Sequence, residues 1–109
     1  MKTQEFYELN NLEQERSRQE KRYFEFLRVP TMSAGIYLLP AGGTDPQTSH
    51  KEDELYYVVR GKARIMVGTE DRIVEAGSAI FVAANVAHHF HDILEELLVL
   101  VFFAPAESA

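Results

Sequence analysis

From Tyr23 onward the sequence falls into short apolar runs broken at close intervals by glycine and proline. No other feature constrains the fold as much. Runs of this length rich in Val, Ile, Tyr and Phe suit extended strands, and they are too short to give a helix a buried face. They lie at 23–29 (YFEFLRV), 33–39, 46–50, 54–60, 62–67, 72–75, 78–82, 87–93 and 97–103. Pro30, Pro40, Gly42, Gly43, Gly61, Gly68 and Gly77 supply the breaks, all of them residues favoured in turns. Many short strands at regular spacing close into a sandwich or barrel. The expected fold is therefore all-β, with residues 23–109 forming a small barrel domain.

Residues 1–22 have a different texture and read as an N-terminal arm. Asn11 to Arg22 (NLEQERSRQEKR) are nearly all polar and mostly good helix formers, with no apolar stripe. The expectation is a solvated helix or a mobile arm. A second reading, compatible with the first, packs Phe6, Tyr7 and Leu9 against a partner subunit, since a short aromatic-bearing arm has nothing local to bury against. An aromatic-bearing arm beside open sheet edges predicts a homodimer.

Composition narrows the chemistry. The chain has 109 residues, a formal net charge of −6 and no cysteine. An acidic balance argues against nucleic-acid binding, which needs cations to neutralise phosphates. Without cysteine there are no disulfides, iron–sulfur clusters or thiolate zinc sites. Any metal must sit on His, carboxylate or amide groups. The longest uncharged apolar run, Leu97 to Ala104, is strand length, and the first ten residues lack an apolar signal core. No membrane association is expected, and a soluble cytoplasmic protein is. Gly42 and Gly43 lack the Lys-Ser/Thr ending of a phosphate loop, and no Ser nucleophile elbow is present.

The residues able to carry chemistry are His and Glu. His50 and Glu54 flank the polar triplet Lys51, Glu52 and Asp53. On a straight strand, positions 50 and 54 would sit ~13 Å apart. Metal bonds reach only ~2.0–2.2 Å, so a shared ion requires the chain to bend. The triplet suits such a bend, and a helical turn is the alternative. The run LYYVV at 55–59 argues against the helix. In the second cluster, strict alternation puts His88 on the face of Phe90 and sends His89 and His91 to the other. Phe90 belongs to a core, so His88 points inward. Tyr56 shares a face with Glu54 and either lines a pocket or packs the barrel. Glu52, Asp53, Glu95 and Glu96 read as solvated turn charges.

The spacing as a whole resembles the cupin family. The first cupin motif orders a Gly, two His one residue apart, a Glu and a closing Gly. Gly42, Thr48, His50, Glu54 and Gly61 stand at those offsets. The second orders Gly, Pro, Gly, His and Asn, and here Gly77, Ala83, Asn85, His88 and Asp92 occupy the same offsets. Residues 62–76 form a short spacer, as in small single-domain cupins, and the resemblance covers roughly residues 33–103. It implies a double-stranded β-helix, or jelly-roll barrel, and commonly a dimer. Thr48 replaces the first motif His, so the family's ligand set reduces here to His50, Glu54 and His88. Gln47 would add an amide oxygen only if the chain bulges there.

Two His and one carboxylate suit Fe, Mn, Ni, Co or Zn. The resemblance thus implies a divalent metal beside a pocket for a small organic molecule, bounded by Tyr56, Gln47, Thr48 and Phe90. It further implies oxidation, isomerisation or lyase chemistry at the metal. A non-catalytic binding or sensing module is the alternative, and a barrel filled by side chains is the third reading.

Overall fold

The structure is a computed structural model that describes residues 3–46 and 49–108. A helix, α1 (Leu9–Arg18), precedes six strands: β1 (Tyr23–Val29), β2 (Met32–Leu39), β3 (Asp53–Val67), β4 (Glu70–Glu75), β5 (Ala79–Val82) and β6 (His88–Ala104). All pairings are antiparallel, in the order β1-β2-β6-β3-β4, with β5 also on β3. Alternation along β3 is clean from Asp53 to Val58: Glu54, Tyr56 and Val58 turn inward and are buried, while Leu55 and Tyr57 turn out.

The sheet is rolled. Leu39 of β2 and Val74 of β4 come from strands well separated in the sheet order, yet both belong to one core cluster with Tyr56, Phe90 and Val101. Only a sheet curled around its inner face lets them meet. Burying such side chains contributes about 1.5–3 kcal/mol each, which makes this inner cluster the main source of stability.

Two pairs of expected strands are single long strands. β3 runs through Gly61 and β6 runs through residues 94–96. Register shifts between Val58 and Arg64 carry β3 round the curve. Gly61 has φ +100°, and a Cβ there would fall on the Glu96 carbonyl and lie 2.8 Å from Leu97 Cα. It marks a close approach between strands, not a turn. The expected strand at 46–50 is absent at its described residues. Pro46 has no N–H to donate, and the His50 carbonyl is used elsewhere, accepting from the Asn85 N–H at 2.6 Å.

The helix lies against β1 and β2. Leu9, Leu12, Glu13 and Arg16 form its half-buried face, and Glu13 pairs with Arg60 of β3 at 2.7 Å. Tyr7 meets Phe26 edge-on within the same chain, at a centroid distance of 4.7 Å. Phe6 is 89% exposed.

Candidate metal centre

His50 lies in the loop before β3, Glu54 on β3 and His88 at the start of β6. Two contacts draw the β5–β6 connection onto the His50 loop. Asn85 N–H donates to the His50 carbonyl, and Ala84 N–H donates to Asp53 Oδ1 at 2.9 Å. Asn85 takes φ +70°, a conformation that Asn tolerates better than most residues. The chain bends at Lys51 and Glu52, and His50 and Glu54 then face one point.

One donor atom each from His50, Glu54 and His88 lies within 4.8 Å of the others. His88 Nε2 is 2.9 Å from Glu54 Oε1, and His50 Nε2 is 3.8 Å from the same oxygen. Glu54 and His88 are fully buried, whereas the His50 side chain is 18% exposed. His88 Nδ1 donates to the Val86 carbonyl at 2.9 Å. A carboxylate this close to Nε2 in a buried site requires a positive charge between them, either a proton on Nε2 or a cation in its place. Among the described residues neither Glu54 oxygen nor His88 Nε2 makes an aligned hydrogen bond, although the two stand at ion-pair distance. Buried donor atoms of this kind are what a divalent cation needs, so the donor set fits one.

The surrounding groups tune the site. Burial pushes the His88 pKa down, but the Glu54 carboxylate and the Val86 carbonyl outweigh it and leave it raised. Burial first, then Glu54, pushes the Tyr56 phenol well up. Tyr56 and Phe90 are both buried in the core, the Tyr56 ring 6.0 Å from His88 and 4.9 Å from Phe90. Gln47 and Thr48 lie outside the described residues.

A cavity of about 210 Å³ opens beside His50, walled by Tyr23, Tyr37, Val101, Phe103 and Glu107. Tyr23 and Glu107 carried no signal in the sequence: a strand aromatic and an acidic residue past the last apolar run look like packing and solvent. The Tyr23 hydroxyl is buried without a partner. Burial raises the Glu107 pKa, opposed by His50. Glu52 corrects an expectation. It is buried, not solvated, because the segment after β6 covers it and Ser108 N–H donates to its Oε2 at 3.1 Å. His89 and His91 turn outward as alternation requires, and His91 Nε2 meets Asp71 Oδ1 at 3.0 Å. No helix among the described residues is long and apolar enough to cross a membrane.

Known proteins share this architecture. A family model described as a cupin domain matches residues 35–103. The chain is 50% identical over 102 residues, 94% of this chain and 97% of the other, to the uncharacterised protein SCO3923 of Streptomyces coelicolor. The crystal structure of TT1209 from Thermus thermophilus matches with a TM-score of 0.76 at 23% identity, over 94% of this chain and 99% of that one. The crystal structure of the DMSP lyase DddQ from Ruegeria pomeroyi matches with a TM-score of 0.68 at 19% identity, over 78% of this chain and 48% of that one. At these identities the structural matches speak for the fold alone.

Proposed function

Because the chain belongs to the cupin family, we propose that it binds one divalent metal ion through His50, Glu54 and His88 and acts on a small organic molecule in the adjoining cavity. The observation that carries this reading is the set of buried donor atoms on Glu54 and His88 that make no aligned hydrogen bond, gathered within 4.8 Å with His50. Fe, Mn, Ni, Co and Zn all accept such ligands. A bound metal would supply a Lewis acid able to polarise an oxygen of the organic ligand, the chemistry that isomerisation and lyase reactions draw on. The protein's own share is to hold the donors, keep water out with Phe103 and Val101, and shape the cavity at His50.

Metal per chain, measured as isolated and after supplying each of the five ions, tests the reading. One ion per chain, lost in His50→Ala, supports it. Sub-stoichiometric metal under every condition removes it. A binding or sensing module without turnover remains the second reading, favoured by the mainly apolar and aromatic cavity wall. Ligand-induced stabilisation without consumption of the ligand separates it from an enzyme.

We also infer a homodimer. Leu55 of β3 sits opposite Phe81 of β5, and both, with Tyr57, are exposed on the outer face. On a chain of net charge −6, this uncharged patch lets two copies meet without opposing like charges. Sedimentation is expected to give a dimer mass that Phe81→Glu converts to a monomer. A monomer at high concentration in the unsubstituted protein refutes it.

A further inference from the structure

The two histidines of the site are oriented alike. In each, Nε2 faces Glu54, and Nδ1 is turned to another acceptor. For His88 that acceptor is the Val86 carbonyl of its own loop. For His50 it is Glu107, whose Oε2 stands 3.5 Å from Nδ1. Glu107 belongs to no strand of the barrel and arrives on the segment that follows β6.

That segment is fastened across the mouth of the barrel. Ala106 N–H donates to the Pro30 carbonyl at 3.4 Å, and Glu107 N–H donates to the hydroxyl of buried Ser33 at 2.9 Å. Arg28 Nη2 donates to the Glu107 carbonyl at 2.6 Å, and Ser108 N–H donates to Glu52. Every one of these contacts uses backbone of the segment, so the Glu107 carboxylate is left to face His50 and the cavity. Its neighbourhood is otherwise unfavourable: Glu25, Glu52 and Glu54 are the like charges around it. A half-buried carboxylate held among carboxylates needs groups that offset the repulsion; Arg28 supplies charge nearby, and the His50 ring is the group that its Oε2 faces.

We propose that Glu107 is a positioning residue for the metal centre, accepting the Nδ1 proton of His50 and so presenting Nε2 to the ion. The inference rests on the metal-binding reading above. A carboxylate on the outer nitrogen fixes the tautomer, orients the ring and makes the inner nitrogen a better donor. Glu107 is not itself among the converging donors, because it contacts the ring from the nitrogen opposite Glu54. His50 needs such support more than His88 does. It sits in a loop, outside any strand, and keeps part of its surface exposed.

The test compares Co²⁺ affinity, by chelator competition, in the unsubstituted protein, Glu107→Ala, Glu107→Gln and Arg28→Ala. Glu107→Ala is expected to weaken Co²⁺ about 10–100-fold. Glu107→Gln, which keeps an acceptor oxygen, recovers most of that loss. Arg28→Ala loosens the segment and removes a cation near the carboxylate, and weakens Co²⁺ in the same direction. Nitrogen-15 spectra of the metal-free protein give a second readout. His50 holds one tautomer in the unsubstituted protein and in Glu107→Gln, and a mixture in Glu107→Ala. Unchanged affinity and an unchanged His50 tautomer in Glu107→Ala overturn the proposal. Absence of Co²⁺ binding in the unsubstituted protein overturns the metal reading instead, and the tautomer still decides whether Glu107 orients His50.

Discussion

The buried pair Glu54 and His88 separates a binding site from structural glue. Each side chain is 1% exposed, they stand 2.9 Å apart, and their facing atoms are not aligned as a hydrogen bond. Removing one partner leaves the other buried and unpaired. Glu54→Leu or His88→Leu alone should therefore cost about 3–5 kcal/mol. The double variant removes both polar groups from a site backed by Tyr56. Replacing a buried ionic pair with apolar side chains of similar size is neutral or stabilising by about 1–4 kcal/mol. In a domain of this size 1 kcal/mol moves the Tm by about 4–8 °C. Each single variant should thus melt more than about 12 °C below the unsubstituted protein, and the double at or above it. Melting in excess chelator, with metal content measured beside it, makes the assay. The double variant must also bind no metal. A double variant as unstable as the two single losses combined, or one that still takes up metal, refutes the reasoning.

The remaining expectations are simpler. His50→Ala abolishes metal binding but costs the metal-free protein less than either single substitution at Glu54 or His88, because His50 lies outside the strands and the core cluster; a drop in a chelator melt as large as theirs contradicts this. Excess metal raises the Tm through linkage, by about 2.7 kcal/mol at a hundred times Kd, and chelator reverses the rise. Gly61→Ala meets both a positive φ and the Glu96 backbone, so it should cost at least about 2 kcal/mol; an unchanged denaturation midpoint shows that the strands part freely there. Tyr23→Phe removes a buried hydroxyl without a partner and should stabilise by about 1–3 kcal/mol, which a urea midpoint below the unsubstituted value would contradict.

Much of the barrel could be read from alternation. β1 spans the residues expected, and β2 differs by one residue at its start. Alternation failed where a residue does a job that its type does not advertise. Gly61 reads as a turn, yet it lets β3 bend past β6 without leaving the sheet. The loop at 46–50 reads as a strand, yet its described residues pair with no neighbouring strand. Glu52 reads as solvent-facing, since nothing in its own surroundings foretells the segment that folds over it.

Sequence by itself determined the strand periodicity, the inward direction of His88, and the family spacing that singles out residues 50, 54 and 88. Those are local properties, set by side-chain type and by a repeat of two residues along an extended chain. Only the tertiary structure decided that these side chains meet. His88 pairs with Val67, at the far end of β3 from Glu54, which on a straight strand would be ~43 Å away. Rolling the sheet closes that gap to 2.9 Å, while the β3–β6 register, which sets Ala104 opposite Asp53, carries residue 107 to residue 50. Contacts between residues far apart in the chain depend on the curvature of the whole sheet, which no single segment encodes.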